Sequence, residues 1–225
     1  MIDELGVAGE HGLFWAGSQA VDAEGKLLAD GSYIYQPVRF PNTFFLLFDK
    51  LRQLNDYCFH QLLSSQARLD ELAVQRSAAI TGEGGAEEFI YLSDQIPLWE
   101  DNVQVVAKST SVVLLCSFME WGLKLVAKEL CGGIPRKSDR SMSDIEFMLW
   151  HIEQRGGLQL VVDDEPIGVV NSFRVIRNAF AHGDWTELNE QLDAVSLRVC
   201  FESVSEIFQR IEEAAWRSPW GVISP

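Results

Sequence analysis

The chain is poor in basic residues. Its 225 residues include 18 lysines and arginines against 33 aspartates and glutamates, which gives a formal net charge of −15 at pH 7. A phosphate backbone is bound mainly by lysine and arginine, so most of this surface would repel a nucleic acid. Any RNA-binding surface is therefore expected at local groups of cations; otherwise the acidic surface serves a basic protein partner.

Several common enzyme motifs are missing as well. The phosphate-binding patterns GxxxxGK[ST] and GxGxxG do not occur, and neither do serine or cysteine nucleophile motifs. Four cysteines lie far apart without CxxC spacing, so the sequence predicts reduced, mostly buried thiols. They are Cys58, Cys116, Cys131 and Cys200. No cofactor and no metal are expected, because no group of His, Cys or carboxylate residues has ligand spacing.

Long apolar runs are also missing. No uninterrupted apolar run reaches the roughly 18 residues that a transmembrane helix needs. Residues 1–5 carry two acidic side chains where a secretion signal would be basic. The sequence therefore predicts a cytoplasmic protein that does not bind a membrane.

The spacing of apolar residues predicts an all-α protein of about five helices behind a small N-terminal extension. The extension is assigned to residues 1–40 and the helical domain to residues 41–225. Residues 13–16 and 32–35 are rich in aromatic side chains, which predicts two short strands in a hairpin or a loosely packed extension.

Helix boundaries follow from caps and breakers. One long amphipathic helix is predicted from Asn42 to just before Gly82. A second helical stretch begins near Ala86, is interrupted around Pro97 and continues to Leu130. The second half of that stretch is apolar nearly all round, which predicts a central, buried helix.

Three further helices complete the prediction. Ser141 or Ser143 caps the third helix, which ends before two glycines at positions 156 and 157. The fourth begins near Pro166, a residue tolerated in a first helical turn. Asn189 is expected to cap a fifth helix that ends near Trp216.

The clearest functional signal lies on the fourth predicted helix. Residues 177–183 read Arg-Asn-Ala-Phe-Ala-His-Gly. At 100° per residue, the polar side chains of this helix fall on one arc and its apolar side chains on another. The polar arc holds Arg174, Arg177, Asn178, Ala181 and His182, and the apolar arc holds Phe173, Ile176 and Phe180, with Val169 beside them. The polar arc is suited to face a phosphate.

An R-N-x-x-x-H run near the end of a helix, in an otherwise helical chain, resembles the HEPN superfamily (higher eukaryotes and prokaryotes nucleotide-binding). Members of that superfamily include metal-independent ribonucleases, many of them toxins or antiviral effectors. The resemblance implies a HEPN-like helical bundle and an endoribonuclease of toxin–antitoxin or phage-defence type. It also implies an RNA substrate, a homodimer that places two motifs across a shared cleft, and an antitoxin or another protein as partner.

The resemblance assigns catalytic roles to the motif. His182 would transfer protons, because histidine exchanges a proton near neutral pH. Arg177 would hold the phosphate oxygens and stabilise the charge of the transition state. Asn178, one turn before His182, would hydrogen-bond the imidazole or the phosphate, and Arg174 would bind the substrate.

Glu120 is a supporting candidate. A carboxylate in an apolar helix needs a partner, and an arginine of the motif helix would serve.

Each motif residue also has a structural interpretation. Arg177 would form a salt bridge with Glu120 or Asp184, His182 would complement the helix dipole, and Asn178 would be solvated. Two alternatives for the whole chain are a non-catalytic HEPN-like binding or dimerisation module and a purely structural helical domain.

Overall fold

Helices dominate the computed structural model, which describes residues 2–37, 42–80, 85–137 and 142–218. In chain order the elements are α1 (Ile2–His11), β1 (Gln19–Val21), β2 (Leu27–Asp30), α2 (Thr43–Ile80), α3 (Ala86–Asp101), a π-helical segment (Asn102–Ala107), α4 (Lys108–Leu130), α5 (Asp144–Gly156), α6 (Asp164–His182), α7 (Trp185–Asp193) and α8 (Leu197–Arg217). The predicted all-α class with a small N-terminal hairpin is confirmed. The predictions for Gly82 and Ser141 fall outside the described residues.

The N-terminal hairpin lies between the two aromatic runs that were predicted to form it. β1 pairs antiparallel with β2, with Gln19 opposite Asp30. The aromatic side chains pack against α2 instead: the Trp15 and Tyr35 rings each lie 5.1 Å, edge to face, from a phenylalanine of that helix. The strand positions were wrong because burial against a helix enriches a segment in aromatic residues just as a strand does.

The helix α1 was not predicted. Gly6 and Gly9 lie within its ten residues, and glycine has a low helix propensity. Tertiary packing overrides that propensity, because Val7 is buried in the main hydrophobic core. The core also takes in Leu13, Phe14 and Ile34, so the N-terminal segment packs on the helical bundle.

The second predicted helix is continuous through Pro97, which lies inside α3. The irregularity comes several residues later, in the π-helical segment. A proline removes one backbone hydrogen bond and disturbs the preceding turn, and here the helix continues in spite of it. The predicted interruption around Pro97 is therefore wrong in position.

The helical stretch of residues 86–130 contains an 18-residue window of mean hydropathy 1.4, half of which is buried inside the structure. By length and composition alone it is apolar enough to cross a membrane. A core helix of a soluble protein meets the same criterion, so the finding does not place the stretch in a membrane.

α5 is capped as predicted. The Ser143 hydroxyl accepts a hydrogen bond from the Glu146 N–H at 3.1 Å, and the Glu146 carboxylate accepts one from the Ser143 N–H at 2.7 Å. This reciprocal pair satisfies two donors of the first turn. Gly157 ends the helix with a φ of 64°.

The fifth predicted helix is wrong, because the structure has two helices there. Asp184 caps α7 and Ser196 caps α8, each accepting a hydrogen bond from a backbone N–H three residues later. Asn189 lies inside α7 instead of capping a helix. The two side-chain caps outweigh the continuous apolar spacing that favoured one long helix.

α4 is the central helix. It packs against α2, α5, α6 and α8, and Val112, Leu115, Met119 and Leu123 on it are fully buried. This confirms the predicted central position. α6 packs against both α4 and α8, so one face of α6 is left for solvent.

Candidate functional site

The solvent-facing side of α6 is the polar arc predicted from the sequence. Phe173, Ile176 and Ala179 are buried on the opposite side, and Phe180 is half-buried. The exposed residues in the second half of the helix are Arg174, Val175, Asn178, Ala181 and His182. Gly183, with a φ of 69°, ends α6 directly after His182.

Arg177 lies at the edge of this exposed face, against α4. Its Nη1 donates a hydrogen bond to Glu120 Oε1 at 2.7 Å and lies 3.9 Å from the Cys116 sulfur. The predicted pairing of Glu120 with an arginine of this helix is thus confirmed. Asp184, the other candidate partner of Arg177, caps α7 instead.

The ion pair of Arg177 and Glu120 is partly exposed to solvent. The Arg177 side chain is 36% exposed and the Glu120 side chain 34%. Cys116, next to Arg177, is buried, and burial raises the pKa of its thiol. The guanidinium is therefore held on its inner side and open to solvent on its outer side.

The side chains of His182 and Asn178 are exposed, and neither makes a hydrogen bond within the described part of the chain. Side chains five positions apart leave a helix about 140° apart in direction and about 7.5 Å apart along its axis. Arg174 and Asn178 project between Arg177 and His182. A single ligand can therefore contact both Arg177 and His182 of one α6 helix only if it lies across the exposed face.

Lysines add positive charge beside Arg177. The Lys124 ammonium lies 4.0 Å from Glu120, one turn along α4. Lys137 donates a hydrogen bond of 2.6 Å to Asp144 at the start of α5.

The charge on Asp144 is stabilised by these neighbours. The hydrogen bond from Lys137 lowers the pKa of Asp144, and the charges of Arg174 and Arg177 lower it further. Four cations, Lys124, Lys137, Arg174 and Arg177, thus gather where α4, α5 and α6 meet, with the carboxylates of Glu120 and Asp144 among them. Sequence reasoning missed Lys124, although its spacing of four residues from Glu120 on one helix is a recognisable signal.

A cleft of about 160 Å³ opens beside the Arg177–Glu120 pair. It lies between α4, residues 134–137 and the start of α5, and Glu120 belongs both to the cleft and to the ion pair. Its apolar surface comes from Leu123, Ile134, Pro135, Ile145, Phe147 and Met148, and its rim carries Lys124, Lys137 and Asp144. No sequence pattern predicted this cleft.

Asn171 ties α6 to α5. Its side-chain amide donates a hydrogen bond of 3.2 Å to Glu146, the residue that completes the α5 capping box. The backbone N–H of Ser143 is the main reason that the pKa of Glu146 is lowered, and the Asn171 amide contributes. This contact holds the start of α5, and with it one wall of the cleft, against the motif helix.

Among the described residues, no three His, Cys, Asp or Glu side chains are grouped in a way that could hold a metal ion. Comparison with protein-family models, curated proteins and solved structures found no match for this chain.

Proposed function

We propose that this chain is a metal-independent endoribonuclease of HEPN type, acting on cytoplasmic RNA in a toxin–antitoxin or phage-defence setting. One observation carries the proposal: Arg177, held in place by Glu120, shares the exposed side of α6 with Arg174, Asn178 and His182. Phosphate-binding and proton-transferring groups thus lie together on a surface that solvent reaches.

Cleavage would follow the chemistry of the RNA itself. The 2′-hydroxyl loses its proton and attacks the adjacent phosphorus, the bond to the 5′-oxygen breaks, and that oxygen takes up a proton. The products are a 2′,3′-cyclic phosphate and a free 5′-hydroxyl. His182 performs one of the two proton transfers.

Arg177 would stabilise the phosphorane. Glu120 engages Nη1, which leaves Nε and Nη2 of the planar guanidinium for phosphate oxygens. The carboxylate orients the guanidinium and offsets part of its charge. Arg174 supplies a second cation, and Asn178, one turn before His182, is placed to hydrogen-bond the imidazole or the phosphate.

Two copies of the chain would complete the acid–base set. Each motif offers one histidine, whereas the reaction needs both a proton acceptor and a proton donor. A homodimer with the exposed sides of two α6 helices facing each other supplies the second histidine. The acidic remainder of the surface would suit a basic antitoxin or another protein partner.

RNA cleavage by the full chain in excess EDTA tests this function. We expect cleavage to persist, products to end in a 2′,3′-cyclic phosphate, and His182→Ala to lower the rate by roughly 10²–10⁴-fold. His60→Ala is the matched control, because His60 is also exposed but lies on α2. Abolition by EDTA, or equal rates for the two variants, would contradict the mechanism.

The alternative is a non-catalytic HEPN-like binding or dimerisation module. The engagement of Arg177 by Glu120 favours it, because a ligand phosphate must compete with that carboxylate. Under this alternative the wild-type protein dimerises through α6 but cleaves no RNA.

A further inference from the structure

The cleft beside the motif has no part in the proton chemistry described above, yet it reaches Arg177 through the ion-pair partner Glu120. Glu120 bonds Arg177 on one side and lines the cleft on the other. Asp144, at the cleft rim, lies within electrostatic range of both Arg174 and Arg177. A ligand group in the cleft and a phosphate at Arg177 would therefore lie on either side of the Glu120 carboxylate.

The lining of the cleft suits a flat, largely apolar ring. Ile145, Phe147 and Met148 are mostly buried and form its apolar surface, while Ile134 is 54% exposed at the edge. The volume of about 160 Å³ is below the roughly 300–1,000 Å³ of a site for a drug-sized ligand. It accommodates one ring system and excludes a helix.

The charges around the cleft narrow the ligand class. Two lysines and two carboxylates line the cleft in pairs: Lys124 lies 4.0 Å from Glu120, and Lys137 bonds Asp144 at 2.6 Å. Glu120 and Asp144 supply carboxylate oxygens, which only accept hydrogen bonds when ionised. The complementary ligand has a flat ring with N–H donors on its edge.

We infer that this cleft binds one nucleobase of single-stranded RNA, next to the phosphate held by Arg177. Bases in single-stranded RNA are free to leave the stack and to present their faces and Watson–Crick edges to a protein. The apolar lining contacts the ring faces, and Asp144 accepts a hydrogen bond from the base edge. The inference rests on the proposed function in one respect, which is that Arg177 holds the phosphate.

The hydrogen-bonding groups on the edge of the base should make the cleft prefer cytosine to uracil. Cytosine presents an exocyclic amino donor where uracil presents a carbonyl acceptor, and a carboxylate can pair only with the donor. Cytidine monophosphate should therefore bind more tightly than uridine monophosphate. Equal affinities would remove the role assigned to Asp144.

Nuclear magnetic resonance of isoleucine methyl groups tests the site directly. The His182→Ala protein is titrated with cytidine monophosphate and, separately, with ribose 5-phosphate, which has no base. We expect the methyl signals of Ile134 and Ile145 to shift with the nucleotide but not with the sugar phosphate. Ile90, exposed on α3 outside the cleft, should not respond to either. Shifts confined to other regions, or equal shifts with both ligands, overturn the inference.

A matched pair of variants gives a second readout. Ile134→Asp places a carboxylate at the cleft edge and should weaken nucleotide binding about tenfold. Ile90→Asp makes the same change at a residue of similar exposure, 60% against 54%, and should leave binding unchanged. Equal effects contradict the cleft as the site. Methyl shifts at Ile134 that depend on protein concentration and not on nucleotide would instead identify a second copy of the chain as the occupant.

These measurements separate the inference from the proposed function. If the cleft binds nucleotide but the wild-type protein cleaves no RNA, the nucleobase subsite is supported and the proposed nuclease function is contradicted. If the wild-type protein cleaves RNA, Ile134→Asp cleaves at the same rate, and nucleotide shifts no methyl signal of the cleft, then only the nucleobase subsite is contradicted.

Discussion

Arg177 on α6 and Glu120 on α4 form a hydrogen-bonded ion pair at 2.7 Å whose two side chains each keep about a third of their surface exposed. A fully buried pair would mark the motif arginine as a structural residue, and a free arginine would have no fixed orientation. The half-exposed pair fixes the guanidinium and leaves it accessible. Variants at these two positions should therefore lose activity while they keep most of their stability.

The ion pair should contribute little to folding. In a double-mutant cycle with Arg177→Ala, Glu120→Ala and the double variant, we expect a coupling energy of about 1 kcal/mol or less, because exposed pairs contribute in that range. Urea unfolding of the four proteins measures it. A coupling of about 3 kcal/mol or more, typical of breaking a buried pair, would support the structural role of Arg177 instead.

Cleavage should depend on the shape of the Arg177 side chain as well as on its charge. Arg177→Lys keeps a cation but loses the planar fork that binds two phosphate oxygens at once, so cleavage should fall sharply while the melting temperature hardly changes. Arg68→Lys, on an exposed arginine of α2 that pairs with Glu71, is the control for a general effect. Full activity in Arg177→Lys would argue against bidentate phosphate binding.

The exposed side of α6 should be a dimer interface. Val175, 39% exposed on that side, would be buried between two copies, so Val175→Asp should yield monomers and lose cleavage. Val74→Asp, at a 69% exposed valine on α2, should leave the dimer intact. Light scattering at micromolar concentration distinguishes the two. A monomeric wild-type protein that still cleaves RNA would contradict the shared site.

His11 should make folding sensitive to mild acid. It is 7% exposed at the end of α1, and burial lowers its pKa, with nearby Lys108 lowering it further and Glu10 opposing the shift. The unfolded chain therefore takes up a proton at His11 near its ordinary pKa of about 6.5, when the folded chain does not. The free energy of unfolding should fall as the pH drops below that value.

Replacement of His11 by glutamine should remove this part of the pH dependence. Urea unfolding at pH 7.5 and pH 5 would show a smaller loss of stability in His11→Gln than in wild type. His60→Gln, on an exposed histidine, should behave like wild type. Identical pH profiles for wild type and His11→Gln would show that His11 takes up its proton without cost in the folded chain.

Two glycine-to-alanine substitutions should change the stability of the fold in opposite directions. At Gly122 on α4, a Cβ would lie 2.5 Å from the buried ring of Phe208 on α8, so overpacking should destabilise the fold by roughly 1–3 kcal/mol. At Gly168 on α6, a Cβ meets nothing within 4 Å, and the higher helix propensity of alanine should stabilise by about 0.5–1 kcal/mol. Thermal melts measure both changes. A higher melting temperature for Gly122→Ala would contradict the close contact between α4 and α8.

The sequence by itself determined features that depend on local periodicity and caps. The long helix α2, the capping box of Ser143 and Glu146, and the exposed and buried sides of α6 all follow from residues within a few turns of one another. Such signals act over three or four positions, so one sequence contains them completely. The same reasoning failed at the break between α7 and α8, where two caps competed with an uninterrupted apolar spacing.

Only the tertiary structure decided what surrounds the motif. Glu120 and Arg177 lie 57 positions apart. The sequence offered Glu120 and Asp184 as partners of Arg177, and only the packing of α4 against α6 selected Glu120. The cleft exists because α5 begins where its first turn meets α4 and residues 134–137, and no periodicity encodes that meeting. Long-range packing also placed the N-terminal aromatic side chains on α2, because burying a large ring stabilises any backbone conformation that reaches the core.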